Sequence, residues 1–472
     1  MVWSQLEPSA PHLNILLLSS FLILYALSSN FIKNRLFLSE PPLATLLGII
    51  FGPQGLGVID PISWGYEDNI TQEFTRIIVG IQVFAVAVEL PAGYFVKKRF
   101  EHAKSVAVML GPVMTFGWLS TALLVYLVLQ TDVCTALIVG ACLTPTDPVL
   151  SASVLSGSKF SGRVPKRLRH LLSAESGCND GVSFPFLYIG IVLLIYSTTS
   201  GAVKEFVLIT GLWQCTFGLF IGLVIGLSAN RLLRFSEKRE YIDPSSFLVF
   251  YFLMALFSIG VGSTLGTDDF LVAFGAGLGF AWDGWFAEKT ADTHLPEILD
   301  LLLNSSMFVY FGAIIPWARF NSLAITPDIT KTRLIAVVIL ILLFRRIPIV
   351  LAMKRWIPDI RTYREALFCG HFGPMGLGGL FLAIEARAQL ETHTSEPLPH
   401  PPEHAEHEKA IETIWVVVSA VVLGSIFVHG LSVPGISFGG SMSRDPEDRA
   451  ELLGGETERL DGMVYADDSE EE

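Results

Sequence analysis

The sequence predicts an all-α polytopic membrane protein of about thirteen transmembrane helices, and three observations carry that expectation. The 472 residues are 51% hydrophobic and only 16% charged, where soluble domains carry roughly 25% charge. Apolar runs long enough to cross a bilayer recur at short intervals along the whole chain. Lysine and arginine gather in every second connection between those runs, as they do in proteins threaded back and forth through a membrane.

The first run, 12–30, follows neutral and acidic residues instead of a basic segment, so it reads as a retained helix and not a cleaved leader. Next come 42–58, which carries Gly48-Ile49-Ile50-Phe51-Gly52, and 73–89, which closes on Glu89. The runs 105–129, 134–156 and 170–197 follow, the second interrupted by prolines. Then come 207–230, 246–263 and 268–283, the last opening on Thr267-Asp268-Asp269 and carrying Ala273-Phe274-Gly275-Ala276-Gly277. The final four are 299–317, 334–352, 363–386 and 411–434, with Gly373-Pro374-Met375-Gly376-Leu377-Gly378-Gly379 inside the twelfth.

Of the 32 basic residues, 23 lie in connections after odd-numbered spans, 6 on the opposite side, and three (Arg76, Arg345, Arg346) within or against spans. The positive-inside rule then sets the N-terminus outside and the C-terminus in the cytoplasm, which an odd number of spans satisfies. Residues 1–437 form the membrane domain, and 438–472 a short acidic tail expected to be disordered. That tail supplies part of the net charge of −13, so the charge says little about what the protein handles, and nothing points to nucleic acid or to a cofactor. The five cysteines sit in or beside apolar runs and read as small buried hydrophobes. The connection 391–408 holds four prolines with His393, His400, His404 and His407, and reads as a solvated loop because no metal-ligand spacing recurs in it.

Charge at bilayer depth is costly and survives where it lines a polar cavity, which singles out Asp147 and Asp180. In Thr144-Pro145-Thr146-Asp147-Pro148, neither proline can donate to a helical ladder, so the fifth span should unwind near Thr146 and Asp147. Asp147 can then offset the positive dipoles of half-helix ends. The fifth and twelfth spans are both interrupted, and they stand seven apart, as do the glycine-bearing second and ninth. Corresponding interruptions in oppositely oriented spans point to an inverted repeat with a transport site at its interface.

Glu175 and Asn179 lie four apart on one helix face, whereas Asp180 turns roughly 140° away from Glu175. A buried glutamate needs a basic partner, and mid-chain only Arg345 and Arg346 offer one, so a structural ion pair with either is expected. Asp180 remains as the ion carrier. Desolvation disfavours the charged form of a carboxyl group, so a carboxyl so placed can trade a proton for a hard monovalent cation. Asn179, Thr146 and freed carbonyls would complete the oxygen shell.

These residues resemble the monovalent cation:proton antiporter superfamily, and within it the fungal plasma-membrane Na+/H+ antiporters. The resemblance rests on Ile81 to Pro91 with Glu89, the Thr146-Asp147-Pro148 crossing, Asn179-Asp180, Arg345-Arg346-Ile347-Pro348 and His429-Gly430-Leu431-Ser432, in this order. It implies a homodimer with core and dimerisation domains, an elevator-like motion, and Na+ held by Asp180 with Asp147 and Thr146. It also implies a Glu175–arginine bridge, for which Arg346 is favoured over Arg345. The paired Asp268 and Asp269 resemble a segment these antiporters use, although an acid in the first turn also serves the helix dipole, and Glu89 is an auxiliary candidate of the same standing. Where many animal relatives carry an arginine this chain has Met375, so that arginine's role does not transfer, and the short tail departs from members with long regulatory ones. The expected function is secondary transport, not enzymatic catalysis. An intramembrane aspartyl protease would need Tyr-Asp and Gly-x-Gly-Asp motifs, which neither aspartate has, and a cation channel would need a legible filter.

Overall fold

The computed structural model describes residues 9–441 apart from 37, 66, 92, 96–99, 149, 152–163, 197, 291–294, 322–327 and 400–405. Among the described residues every regular element is helical and no strand occurs. Among the described residues, thirteen successive helical segments follow the thirteen apolar runs. They are α1 Ala10–Phe31, α2 Glu40–Phe51, α3 Glu67–Glu89, α4 Glu101–Leu129, α5 beginning with Val133–Cys142, α6 Lys166–Ile195 and α7 Thr199–Lys238. Then come α8 Pro244–Leu265, α9 Asp269–Phe280, α10 Leu295–Ile314, α11 Lys331–Trp356, α12 in two halves (Tyr363–His371 and Leu377–Thr392) and α13 Glu408–Ser441. Eight of these segments are long and apolar enough to cross a membrane unaided; α2, the first half of α5, α9 and part of α10 are shorter apolar helices.

Three boundaries differ from the sequence reading. α2 stops at Phe51, because Gly52 is extended and the chain turns back through Gly57, whose φ of +66° suits glycine. α11 is interrupted at Arg345–Arg346, since Pro348 has no N–H to return to the preceding turn. α13 continues beyond 434 to Ser441. Most of the acidic tail, residues 442–472, lies outside the described residues, as do His400 and His404. The five cysteines are all free.

Helix starts are set by local chemistry. Asp132 accepts from the Thr135 N–H at 2.8 Å to open α5, and Thr362 with Glu365 forms a capping box at the start of α12. Close helix pairs are made through glycine, as expected where apolar tails replace water and backbones must approach for van der Waals contact. A methyl on Gly222 or Gly226 of α7 would strike the carbonyls of Val272 and Ala276 on α9, and one on Gly275 or Gly279 would strike those of Leu219 and Leu223 in return.

The glycine contacts also reveal the internal repeat. A methyl on Gly48 of α2 would meet the Val309 carbonyl on α10, and one on Gly277 of α9 would meet the Phe84 carbonyl on α3. Advancing by seven spans turns α2 into α9 and α3 into α10, so the two pairings are the same contact made twice. α3, α6 and α13 are mostly enclosed, whereas α1 and α7 turn most of their apolar surface outward. The broken α5 and α12 are thereby packed against enclosed helices at the centre of the fold.

Candidate ion-exchange site

The two interrupted helices meet at their breaks. The Asp147 N–H donates to the Pro374 carbonyl at 2.8 Å. The Asp147 carboxylate accepts from the Leu150 N–H at 2.9 Å through Oδ1 and from the Leu377 N–H at 2.9 Å through Oδ2. It therefore serves the N-terminal ends of both second halves, where backbone donors lack intrahelical partners and a negative charge is favoured.

The opposite ends belong to Arg345, whose guanidinium donates to the carbonyls of Leu143, Thr144 and Gly373. These carbonyls close the first halves of α5 and α12, so one arginine satisfies the acceptor ends that one aspartate leaves. Arg346 turns instead to Glu175. Its Nη2 donates to Glu175 Oε2 at 2.7 Å, Nη1 bonds Oε1, and Nε donates to the Cys369 carbonyl at 2.9 Å. The side chains of Glu175 and Arg346 are 3% and 8% exposed, so this is a buried bidentate pair.

Asn179 and Thr146 hold each other. The Asn179 oxygen accepts from the Thr146 N–H at 3.2 Å, its amide nitrogen donates to Thr146 Oγ1 at 2.8 Å, and Ser176 Oγ lies 2.9 Å from the same hydroxyl. α6 is thereby fastened to the unwound part of α5.

Asp180 differs from all of these. It is 1% exposed, and neither carboxylate oxygen has a hydrogen-bond partner among the described residues. It lies against the backbone of α12, where a methyl on Gly378 would collide with its carboxylate as one on Gly376 would with Asp147. A buried charge without a partner is stable only if it is neutralised or coordinates a cation.

The auxiliary residues have partners of their own. Asp268 caps α9 through the N–H groups of Phe270 and Leu271, both at 3.0 Å, and Asp269 pairs with Arg76 at 3.4 Å. Glu89 is exposed at the end of α3. Sequence reasoning did not find what Arg345 does, although the doubled arginine beside Pro348 was a signal that two cations had two partners. Nor did it find the approach of Gly376 and Gly378 to the two aspartates, because a glycine run announces a break without saying what the break touches.

The pattern for transmembrane sodium/hydrogen exchangers matches residues 17–439, nearly the whole described fold. This chain belongs to the sodium/hydrogen exchanger family. As a member of it, the chain is 46% identical over 437 residues to a probable Na(+)/H(+) antiporter of Schizosaccharomyces pombe, covering 92% of this chain and 57% of that protein. It is 44% identical to Na(+)/H(+) antiporter 2 of Zygosaccharomyces rouxii, over 94% of this chain and 55% of that one. The chain thus spans little more than half the length of these two relatives. Another S. pombe Na(+)/H(+) antiporter is 37% identical, with 92% of each chain covered. Among solved structures, the sodium proton antiporter MjNhaP1 from Methanocaldococcus jannaschii superposes with a TM-score of 0.62 at 19% identity, covering 89% of this family member and 99% of MjNhaP1. That likeness establishes the fold.

Proposed function

We propose that the protein exchanges cytoplasmic Na+, with Li+ and K+ as further candidate cations, for external H+ at Asp180, as a homodimer in the plasma membrane with its N-terminus outside. The observation that carries this reading is the Asp180 carboxylate, buried at the crossing with no hydrogen-bond partner among the described residues. Protonated, it is a neutral buried group; deprotonated, it needs a cation. One carboxylate that holds either species and never both couples the two fluxes. Thr146 Oγ1 and Asp147 supply further oxygens to the cation, and Asn179 keeps Thr146 in position. The family membership and the names of the relatives support the same assignment, and export of Na+ against external H+ would serve salt tolerance and cation and pH homeostasis.

Alternating exposure of Asp180 to the two faces follows if α5, α6 and α12 shift together against the helices around them, an elevator-like motion of a core against a dimerisation domain. The test is cation-dependent dequenching of a pH dye in proteoliposomes, each cation supplied in turn. Saturable Na+ movement driven by an imposed pH gradient is expected. Ohmic current without saturation, or absence of proton coupling, would overturn the reading.

A further inference from the structure

A second buried carboxylate lies on the same seam between α6 and α12. Glu385 stands seven positions after Gly378, which is roughly 10 Å along a helix, and it is 2% exposed. Between it and Asp180 three rings close together: Phe270 lies 4.8 Å from Phe381 and 6.3 Å from Phe184, and Phe184 lies 6.2 Å from Phe381. Phe184 is one turn beyond Asp180 on α6, and Phe381 one turn before Glu385 on α12. The two carboxylates therefore flank an aromatic plug.

The groups hydrogen-bonded to Glu385 are polar and neutral, while the Arg76 guanidinium stacks over the Phe381 ring, 5.4 Å from its centroid. Oε2 accepts from Gln72 Nε2 at 3.0 Å; Oε1 accepts from Ser395 Oγ at 2.7 Å, from Gln389 Nε2 at 3.1 Å and from the Tyr188 hydroxyl at 3.2 Å. Gln72 Nε2 also donates to the Ser395 carbonyl at 2.9 Å, and Ser395 itself is exposed, so the cluster runs from the plug to the surface. The neighbouring acids are matched by arginines: Asp68 with Arg387 at 2.7 Å and Asp269 with Arg76 at 3.4 Å. Among the described residues no basic group comes within 4.0 Å of Glu385.

Buried charges are paired or coordinate metal ions, and Glu385 has hydrogen bonds but, among the described residues, no basic group in ion-pair contact. We infer that Glu385 is a second, ion-transfer carboxylate, which takes a dehydrating monovalent cation on the far side of the Phe184–Phe270–Phe381 plug from Asp180. Its two oxygens, the Tyr188 and Ser395 hydroxyls and the Ser395 carbonyl offer the oxygen ligands that hard cations prefer. The site faces the side where α3 begins and α12 ends, the outer side by the distribution of basic residues. This rests on Asp180 being the exchange carboxylate.

The test measures Na+ and Li+ half-saturation of exchange from each face, in right-side-out and inside-out vesicles, with the melting temperature of each purified variant. Glu385→Gln is expected to raise half-saturation at least threefold at the outer face, to leave the inner face within twofold, and to be restored in part by Glu385→Asp. Equal changes at both faces, or none at either, would overturn the inference. Ser395→Ala, on the exposed rim, provides the second reading if Glu385→Gln does not fold: no shift confined to the outer face would equally overturn it. Absence of exchange in the parent chain would instead refute the role of Asp180, a result independent of any change at Glu385.

Discussion

Asp147 and Arg345 divide the ends of two broken helices between them. Asp147 accepts from the N–H groups of Leu150 and Leu377, and Arg345 donates to the carbonyls of Leu143, Thr144 and Gly373. Unwound backbone in a membrane must be satisfied by protein, and here a single anion and a single cation serve four helix ends. Both residues bond the crossing, whereas the Asp180 carboxylate has no hydrogen-bond partner among the described residues.

That division predicts opposite outcomes for the two aspartates. Asp180→Asn removes no hydrogen bond and relieves a buried charge, so the melting temperature should hold or rise while exchange is lost. Asp147→Asn keeps one acceptor but loses the charge over two helix ends, which should cost about 1–3 kcal/mol in stability as well as slow exchange. Proton-coupled Na+ flux retained by Asp180→Asn would refute the assignment. Full stability of Asp147→Asn would show that the half-helix ends need no countercharge.

The Glu175–Arg346 pair gives a second prediction. Removing one partner of a buried ion pair costs about 3–5 kcal/mol, more than replacing both, so Glu175→Gln and Arg346→Met should each lower the melting temperature more than the double variant does. A cycle with Arg345→Met should show little coupling to Glu175, because that guanidinium is spent on carbonyls. A thermal-shift cycle in detergent decides between the arginines, and coupling of Glu175 to Arg345 alone would contradict the geometry.

Glycine supplies the third. Gly378→Ala would drive a methyl into the Asp180 carboxylate, and Gly376→Ala one into that of Asp147. Gly378→Ala should therefore reduce turnover more than about tenfold, near 1.4 kcal/mol in barrier, with little loss of fold, since Asp180 can swing aside. Gly376→Ala should lower the melting temperature too, because Asp147 cannot move without leaving Leu150 and Leu377 unbonded. Wild-type flux through Gly378→Ala would mean that Asp180 does not work against α12.

Much of the fold is legible in the sequence, and the reasons are specific. Thirteen apolar runs, the proline pair around Asp147 and the glycine run before Gly379 each impose a local consequence, so span order and the two breaks can be read directly. The isolation of Asp180 from Glu175 follows from helix periodicity alone. What cannot be read depends on which segments meet: the commitment of Arg345 to carbonyls of two helices, the commitment of Asn179 to Thr146, and the neutral ring of donors around Glu385 all join residues far apart in the chain. The interruption of α11 is signalled by Pro348, yet the long apolar run around it masks the signal.

The final prediction concerns charge balance and pH. Asn179 is bonded to Thr146 at both its amide atoms and Asp147 is bonded to two helix ends, so at the crossing itself Asp180 is the carboxylate expected to release one proton for each cation bound. One H+ per Na+ moves no net charge. Because the two ions compete for the same oxygens, apparent Na+ affinity should weaken as pH falls, and the rate should drop again at high pH as proton binding becomes limiting, giving a bell-shaped profile. Replacing Asn179 with Asp would place a second carboxylate beside the first and should make exchange respond to voltage, provided Thr146 stays in place. Na+ exchange in proteoliposomes clamped with K+ and valinomycin measures both properties: a parental rate that follows the imposed voltage would reject one-for-one exchange, and a Na+ affinity independent of pH would reject competition at Asp180.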